Sequence, residues 1–316
     1  MLVIAAPGQG AQSPGFLSSW LEFPGISERI GTWSELARCD LARYGTVGDA
    51  GEIRDTAVAQ PLLVAAALSA ATVLGVMARP DCGITAGHSV GELSAGSIGG
   101  VLSADDAMRL VGVRARAMAE AASAEQTSMT AVLGGDEDEV LAGIKRHGLT
   151  PANMNAAGQI VAAGTVGQLA AFAADPPPRA KLRPLSVAGA FHTAHMAPAV
   201  TALSEAAAAV TASDPVMTVL SNKDGAAVTS GKDWLERIVA QVSAPVRWDL
   251  CMASMASMDT TAFIELPPAG TLTGLARRAL PGVRVLALKT PAELQSARSI
   301  LAEHAGSHAD SYASQP

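Results

Sequence analysis

The chain has 316 residues, enough for one large α/β domain or two smaller ones. Hydrophobic residues make up 49% of it and charged residues 16%, with a net charge of −7, so there is no basic excess for nonspecific binding to nucleic acid. Aromatic residues reach only 3%, which argues against stacking platforms for bases or sugars.

Short apolar runs alternate along the chain with Ala-rich helical stretches. The predicted strands are, in chain order, residues 2–6, 83–86, 130–133, 160–163, 216–220, 262–266 and 283–288. The predicted helices between them include residues 57–78, 104–121, 197–212 and 234–241. This alternation predicts a parallel sheet with helices on both faces.

Two apolar segments must be distinguished from targeting or membrane-spanning sequences. The first strand follows no basic region and its apolar run ends at Pro7, so it predicts a buried strand rather than a signal peptide. The stretch between Asp55 and Arg79 carries no charge and is long enough to span a membrane. It is rich in Ala and contains Ser69 and Thr72, so we expect a helix buried in a soluble core and no membrane contact.

The middle and the end of the chain depart from this pattern. Between residues 126 and 187 the apolar runs are short, Gly and Pro recur, and residues 175–178 (DPPP) predict a turn. We expect a small α+β insertion with its own sheet there. Residues 305–316 have no apolar periodicity and are expected to fray.

The cysteines give no sign of a metal site or a disulfide framework. Cys39, Cys82 and Cys251 stand singly, without a C-x-x-C pair. Free thiols of this kind favour a reducing, cytoplasmic location. We expect neither a metal nor a bound cofactor.

The strongest chemical signal is Gly87-His88-Ser89-Val90-Gly91, a G-x-S-x-G sequence. It follows a predicted strand and precedes a stretch that can open a helix, which is the context of a nucleophile elbow. In such a turn the serine oxygen lies at the amino end of a helix, where backbone N–H groups can stabilise an oxyanion.

A serine nucleophile needs a base, and histidine is the usual one. Four of the six histidines are set aside because they lie near the end of the chain, in a charged helix end or beside the serine itself: His304, His308, His147 and His88. His192 and His195 remain, and their spacing favours His192 only slightly.

Eight motifs stand in a characteristic order: PGQGAQ (7–12), DTAVAQPLL (55–63), GHSVGELSA (87–95), RLVGVRARAM (109–118), ANMNAAGQIVAAG (152–164), GAFHTAHM (189–196), QVSAPVRW (241–248) and TLTGLARR (271–278). On these motifs the chain resembles the malonyl-CoA:acyl carrier protein transacylases of type II fatty acid synthesis, and the related acyltransferase domains of polyketide synthases. The resemblance extends from residue 1 to about residue 300 and is close to the stand-alone actinobacterial type.

The resemblance implies an α/β fold in two parts. A large α/β-hydrolase-like subdomain with a parallel sheet would hold an inserted small ferredoxin-like subdomain, with the active site between them. We place the large subdomain at residues 1–125 and 193–303, the small one at 126–192, and a flexible tail at 304–316.

The resemblance also implies the catalytic roles. Ser89 would attack the malonyl thioester and His192 would accept its proton. The main-chain carbonyl of Gln241 would orient the imidazole in place of a carboxylate, and no Asp or Glu stands in the matching motif. The backbone N–H groups of Gln9 and Val90 would form the oxyanion hole.

Arg114 is the residue that points to the substrate. On the predicted helix, Arg109, Arg114 and Arg116 diverge, so at most one of them can face the serine. The resemblance selects Arg114. A malonyl carboxylate needs such a cation, which a planar guanidinium can hold in bidentate fashion, whereas a neutral acyl chain does not.

The resemblance places further residues at positions that line or brace the site: Gln12, Gln60, His88, Asn155 and Phe191. Capping of a helix by Gln60 and turn formation by Asn155 are equally open. The bulk of Phe191 would crowd an α-methyl branch, which favours malonyl. Residues 267–270 (PPAG) depart from the usual G-P-G turn, and we expect this to affect packing away from the Ser/His pair.

Together these residues predict a monomeric cytoplasmic acyltransferase. It would transfer malonyl from malonyl-CoA to the phosphopantetheine thiol of acyl carrier protein through a malonyl-serine intermediate, for fatty acid and also polyketide synthesis. Because the carrier is acidic, it must dock on local basic clusters, either Arg179, Lys181 and Arg183 or Arg277 and Arg278. The alternatives are a serine esterase or thioesterase acting on acyl-CoA, and a non-catalytic carrier-binding module.

Overall fold

The protein is built from a mostly parallel sheet, a smaller antiparallel sheet and the helices that cover them. The structure, a computed structural model, describes residues 1–156 and 158–312, and only the backbone after residue 304. The strands are β1 (Leu2–Ala6), β2 (Ile84–Gly87), β3 (Thr127–Gly134), β4 (Thr150–Ala156), β5 (Gln159–Thr165), β6 (Ala180–Pro184), β7 (Thr218–Leu220), β8 (Ala227–Val228), β9 (Val246–Arg247), β10 (Ala262–Glu265) and β11 (Arg284–Ala287). The helices are α1 (Ile26–Ala37), α2 (Leu41–Thr46), α3 (Thr56–Leu74), α4 (Gly91–Ile98), α5 (Ala104–Ser123), α6 (Glu137–Arg146), α7 (Val166–Ala174), α8 (Ala197–Ala208), α9 (Gly231–Gln241), α10 (Trp248–Ser257), α11 (Thr271–Ala279) and α12 (Leu294–Tyr312).

The larger sheet has six strands in the order β11-β10-β1-β2-β7-β8. Its pairings are parallel except for the edge strand β8, which runs antiparallel to β7. Along β1, Ile4 packs into one apolar cluster with α3, α5 and α8, whereas Val3 and Ala5 pack into a second cluster with α10 and α11. The prediction of a parallel sheet between two helical layers is therefore confirmed, with an antiparallel edge strand that was not predicted.

The smaller sheet has the order β6-β3-β5-β4-β9. Its first four strands run β3-α6-β4-β5-α7-β6 along the chain with antiparallel neighbours, which is the ferredoxin-like βαββαβ arrangement. Val132 and Ile160 face α6 and α7, and Ala131 and Val161 point to the opposite face. The predicted small ferredoxin-like unit is confirmed as a fold.

One strand of the small sheet comes from the large part of the chain. β9 pairs in parallel with β4, through Asn153 opposite Val246 and Met154 opposite Arg247. The segment 126–192 therefore omits one strand of this sheet, because a two-residue strand carries no readable apolar pattern. The subdomain boundaries at residues 126 and 192 stay predictions.

The long apolar helix α3 lies inside the protein. It meets the length and composition of a membrane span, with a mean hydropathy of 1.9, but 78% of that window is buried. Asp55 caps its start by accepting the Ala57 N–H. The helix ends at Leu74, four residues before the predicted end, because Gly75 has a φ of 77° and its N–H closes the last turn.

Sequence patterning missed three strands of the small sheet, β4, β6 and β9. β4 carries Asn153 and Asn155 where apolar residues would signal a strand, and β6 is an edge strand that ends at Pro184. In the segment predicted as a flexible tail, residues 304–316, the backbone is helical as far as Tyr312. Residues 313–316 lie outside the described residues.

Candidate active site

Ser89 lies in a strained turn between the end of β2 and the start of α4. Its φ is +54°, a left-handed conformation that side chains rarely adopt. A Cβ on Gly87 would lie 1.9 Å from the Gly91 carbonyl carbon, and one on Gly91 would lie 2.2 Å from the Ala6 carbonyl oxygen. Both glycines of the G-x-S-x-G sequence are therefore required by close backbone packing, as a nucleophile elbow demands.

His192 reaches the serine from the segment that follows the small sheet. Its Nε2 lies 2.7 Å from Ser89 Oγ, and its Nδ1 lies 2.8 Å from the main-chain carbonyl oxygen of Gln241. Because a carbonyl oxygen only accepts, Nδ1 carries the proton and Nε2 is left to accept the hydroxyl proton. The predicted Ser89–His192–Gln241 arrangement is thus assembled, and His195 instead pairs with Glu125.

The surroundings of His192 keep its imidazole neutral. Burial, followed by the nearby Arg114 cation, lowers its pKa to about 3. Burial also lowers the pKa of the neighbouring His88. A neutral imidazole can take the serine proton, so the site is set for a general base at ordinary pH.

Arg114 is the arginine that faces the serine. It is 1% exposed, and its Nη2 lies 3.5 Å from Ser89 Oγ and 2.8 Å from Gln241 Oε1. Arg109 pairs with Asp106 at the surface, and Arg116 donates to the Ala37 carbonyl at the end of α1. The helix geometry separates the three arginines as expected.

The side-chain amide of Gln60 is, after that of Gln241, the second amide that accepts a hydrogen bond from Arg114. Its Oε1 accepts a short hydrogen bond from Arg114 Nη1, and its Nε2 donates to Met118 Sδ at 3.6 Å. Burial lowers the pKa of Arg114 to about 10, so the group remains cationic at neutral pH.

The Gln9 and Val90 N–H groups are the predicted oxyanion donors. Gln9 lines the cleft above Ser89, and Val90 is the N-cap residue of α4. Within the described part of the chain, neither backbone N–H has a recorded acceptor. Both groups are therefore available to an oxygen that develops negative charge, and their role stays a prediction.

A cleft of about 270 Å³ opens onto Ser89 and His192 between the two sheets. Phe191, His88 and Asn155 line it, and His88 Nε2 lies 2.8 Å from Asn155 Oδ1, which joins the elbow to β4. Gln60 lies behind Arg114. Gln12 is outside the lining, where its Oε1 accepts the Gly10 N–H at 2.8 Å and steadies the Gln9 loop.

The turn at residues 267–270 comes directly before a helix that lines the cleft. It leads into α11, whose residues Thr271, Leu272 and Leu275 line the same cleft. The buried Glu265 carboxylate fixes the start of this helix by accepting the backbone N–H groups of Gly270, Leu272 and Thr273. The effect of this turn on the Ser/His pair stays a prediction.

Sequence reasoning missed two polar residues beneath the elbow. Asn222 accepts the Ser89 N–H at 2.8 Å and donates to the Gly87 carbonyl at 2.7 Å. Glu92 is 2% exposed and accepts from Asn222 and Gln241, and burial raises its pKa to about 7 although both hydrogen bonds oppose this. The position of Asn222 just after β7, at the carboxyl edge of the parallel sheet, was an available signal.

No group of three or more His, Cys, Asp or Glu side chains in the described residues is arranged to hold a metal ion. The three cysteines are free, and burial raises the pKa of both Cys82 and Cys251.

The fold and the Ser/His geometry define an acyl-transfer type of site, and comparisons with known proteins agree. Residues 6–294 match the acyl transferase domain family, and the chain belongs to this family. The malonyl CoA-acyl carrier protein transacylase of Mycobacterium tuberculosis is 52% identical over 297 residues, covering 93% of this chain and 98% of the relative. The resemblance found in the sequence is confirmed.

Solved structures agree as well. The crystal structure of MCAT from Mycobacterium tuberculosis matches with a TM-score of 0.91 and 50% identity, covering 94% of this chain and 99% of that chain. A malonyl-transacylase solved in complex with a type II PKS acyl-carrier protein matches with a TM-score of 0.86 and 28% identity, covering 95% and 99%.

Acylation of Ser89 should keep its full rate well below pH 6.5. Because burial and Arg114 lower the pKa of His192, the neutral base persists to acidic pH before protonation removes it. The measurement is the pH profile of single-turnover acylation by an acyl thioester, with circular dichroism at each pH to exclude unfolding. An acid limb centred near 6.5 would contradict this account of the base.

Proposed function

We propose that the protein transfers a malonyl group from malonyl-CoA to the phosphopantetheine thiol of an acyl carrier protein. The observation that carries this proposal is the buried Arg114 guanidinium, 3.5 Å from the oxygen of Ser89. The Ser89–His192 pair supplies acyl transfer, and the cation selects an acyl group that ends in a carboxylate.

In the first half-reaction Ser89 Oγ attacks the thioester carbonyl while its proton moves to His192 Nε2. The Gln9 and Val90 N–H groups hold the resulting oxyanion. His192 then returns the proton to the leaving CoA sulfur, and malonyl-Ser89 remains. In the second half-reaction the carrier's thiol gives its proton to His192 and attacks the ester, so the same groups act in reverse.

The partners of Arg114 support recognition of a carboxylate. Its hydrogen bonds go to neutral groups, namely Gln60 Oε1, Gln241 Oε1 and Ser89 Oγ. A buried guanidinium without a directly bonded carboxylate gains much from an anionic ligand, because the site is screened from water. Malonyl has such a free carboxylate and acetyl does not.

The location and wider role are part of this proposal. The free thiols favour a reducing cytoplasm. The relative's name supports a place in fatty acid synthesis, and the solved complex with a PKS carrier supports polyketide carriers as further acceptors. The chemistry proposed for Ser89 and His192 uses no cofactor, and a monomer suffices because every residue invoked lies in one chain.

Incubation with malonyl-CoA should give a stable malonyl adduct on the protein that Ser89→Ala abolishes. Addition of holo acyl carrier protein should then move the adduct to the carrier. Intact-mass spectrometry follows both steps, and Ser94→Ala, a buried serine on α4, is the matched control. Rapid release of free malonate without a carrier would instead favour a thioesterase, and undiminished transfer by Ser89→Ala would favour a non-catalytic carrier-binding role.

Arg114→Ala should lose the preference for malonyl-CoA over acetyl-CoA. Loss of a charge-assisted hydrogen-bonded pair removes about 1.5–3 kcal/mol, so kcat/KM for malonyl-CoA should fall by about tenfold or more while that for acetyl-CoA is kept or rises. Steady-state kinetics with both thioesters measures the ratio. Arg116→Ala, on the same helix, is the control, and an unchanged ratio in Arg114→Ala would remove this residue from substrate selection.

Basic side chains from both parts of the chain meet at the cleft mouth, where we place carrier docking. Arg278 Nη2 donates to Gln159 Oε1 at 3.1 Å, and Gln159 lines the cleft. In the small sheet, Leu133 on the middle strand β3 is paired with Gln159 on β5 at one side and with Lys181 on β6 at the other. Lys181 is thus two strand spacings, about 10 Å, from Gln159 on the same face. We therefore propose that Arg278 and Lys181, one residue from each predicted basic cluster, act together as a docking rim.

The double variant Lys181→Glu/Arg278→Glu should lower kcat/KM for the acidic carrier protein by about tenfold or more at low salt, because rim charges steer association. The effect should shrink in high salt. Acylation by malonyl-pantetheine, which lacks the phosphates of CoA, should be unchanged. Lys145→Glu/Lys232→Glu, at two exposed lysines outside the cleft lining, is the charge-matched control at a different site. Equal losses in both variants would argue against a docking rim.

A further inference from the structure

Glu92 is a buried carboxylate that the reaction steps above do not use. It lies on α4, three residues after Ser89, and is 2% exposed. The side chain does not line the substrate cleft. A carboxylate buried this deeply is retained only where hydrogen bonds compensate the lost hydration.

One oxygen of Glu92 supports the elbow. Oε1 accepts the Asn222 N–H at 2.9 Å. The Asn222 side chain in turn accepts the Ser89 N–H at 2.8 Å and donates to the Gly87 carbonyl at 2.7 Å. This arm holds the backbone on which the nucleophile stands.

The other oxygen orients the Gln241 side chain. Gln241 Nε2 donates a short hydrogen bond to Glu92 Oε2, and it also donates to the Ser89 carbonyl at 2.9 Å. Gln241 Oε1 accepts from Arg114 Nη2 at 2.8 Å. When Glu92 is ionised, a flipped amide would set its oxygen against two acceptors and its NH₂ against the guanidinium, so these partners then allow one orientation only.

We infer that Glu92 is a positioning residue for substrate selection: it holds the Gln241 amide with its oxygen toward Arg114, and so keeps the guanidinium beside Ser89. This inference rests on the proposed function, because the group to be selected is the malonyl carboxylate. Glu92 acts through Gln241 and Arg114 and touches no reacting atom.

A simpler role for Glu92 predicts the opposite effect. If it served only as a counter-charge to Arg114, its negative charge would oppose a second carboxylate at that cation, and its removal would strengthen malonyl binding. If it positions Gln241, its removal weakens malonyl binding. The direction of the change in KM therefore separates the two roles.

The test is Glu92→Gln, which keeps the size of the side chain and replaces one acceptor oxygen by a donor. The new amide can donate to Gln241 Oε1, so the Gln241 side chain is no longer held in one orientation. We expect kcat/KM for malonyl-CoA to fall about tenfold, mostly through a higher KM, as for loss of one charged hydrogen bond. The value for acetyl-CoA should change less than about threefold. A lower KM for malonyl-CoA, or equal losses with both thioesters, would overturn the inference.

A double-mutant cycle shows whether Glu92 acts through Arg114. In an Arg114→Ala background, Glu92→Gln should have little further effect on malonyl-CoA, because the group it positions is gone. Additive losses would contradict this. Arg114→Ala alone tests the proposed function: if it changes selectivity and Glu92→Gln does not, only the present inference fails.

A second variant covers the case in which Glu92→Gln folds poorly. Gln241→Met removes the side-chain amide and keeps the main-chain carbonyl that orients His192. It should reproduce the loss of malonyl preference, measured as the ratio of kcat/KM for malonyl-CoA to that for acetyl-CoA, and an unchanged ratio would overturn the inference. Thermal unfolding of each variant, with Ser97→Ala on α4 as control, reports on the fold.

Discussion

The positive charge of Arg114 is buried next to Ser89, and much of the surrounding structure compensates for it. Moving such an ion out of water costs several kcal/mol unless hydrogen bonds replace its hydration. Gln60 and Gln241 supply neutral oxygens, and the Glu92 carboxylate lies behind Gln241. The same cation lowers the pKa of His192 and so helps to keep the base neutral. One buried charge thereby links the proposed selection of the substrate to the protonation state of the proposed base.

Backbone strain at Ser89 and His192, the two proposed catalytic residues, is the second constraint. Ser89 and His192 have φ values of 54° and 62°, and a left-handed residue other than glycine costs about 1–2 kcal/mol. The strain persists because hydrogen bonds hold both residues in place. Asn222 accepts the Ser89 N–H, and the Gln241 carbonyl accepts the N–H of the His192 imidazole. These contacts accompany an Oγ–Nε2 distance of 2.7 Å between the two residues.

Sequence patterns predicted the central sheet well and the small sheet less well, for one physical reason. Central strands such as β1 are apolar on both faces and stand out as short runs. β4 instead points Asn153 and Asn155 into the cleft, so the functional surface erased the apolar signal. β9 is too short to show a pattern, although it joins the small sheet to the large part of the chain.

By itself, the sequence determined what depends on neighbouring residues: the strand, the glycine-bounded turn and the helix around Ser89, the proposed nucleophile. Spacing left His192 and His195 nearly equal and could not choose among the arginines, and only family resemblance selected His192 and Arg114. The tertiary structure decided the rest, because His192 and Gln241 are 103 and 152 residues from Ser89 and meet it only through packing of separate elements. Glu92 lay in a recognised motif, yet its inferred role depends on contacts with Asn222 and Gln241. These residues are 130 and 149 positions away along the chain, and no local sequence pattern shows that they contact Glu92.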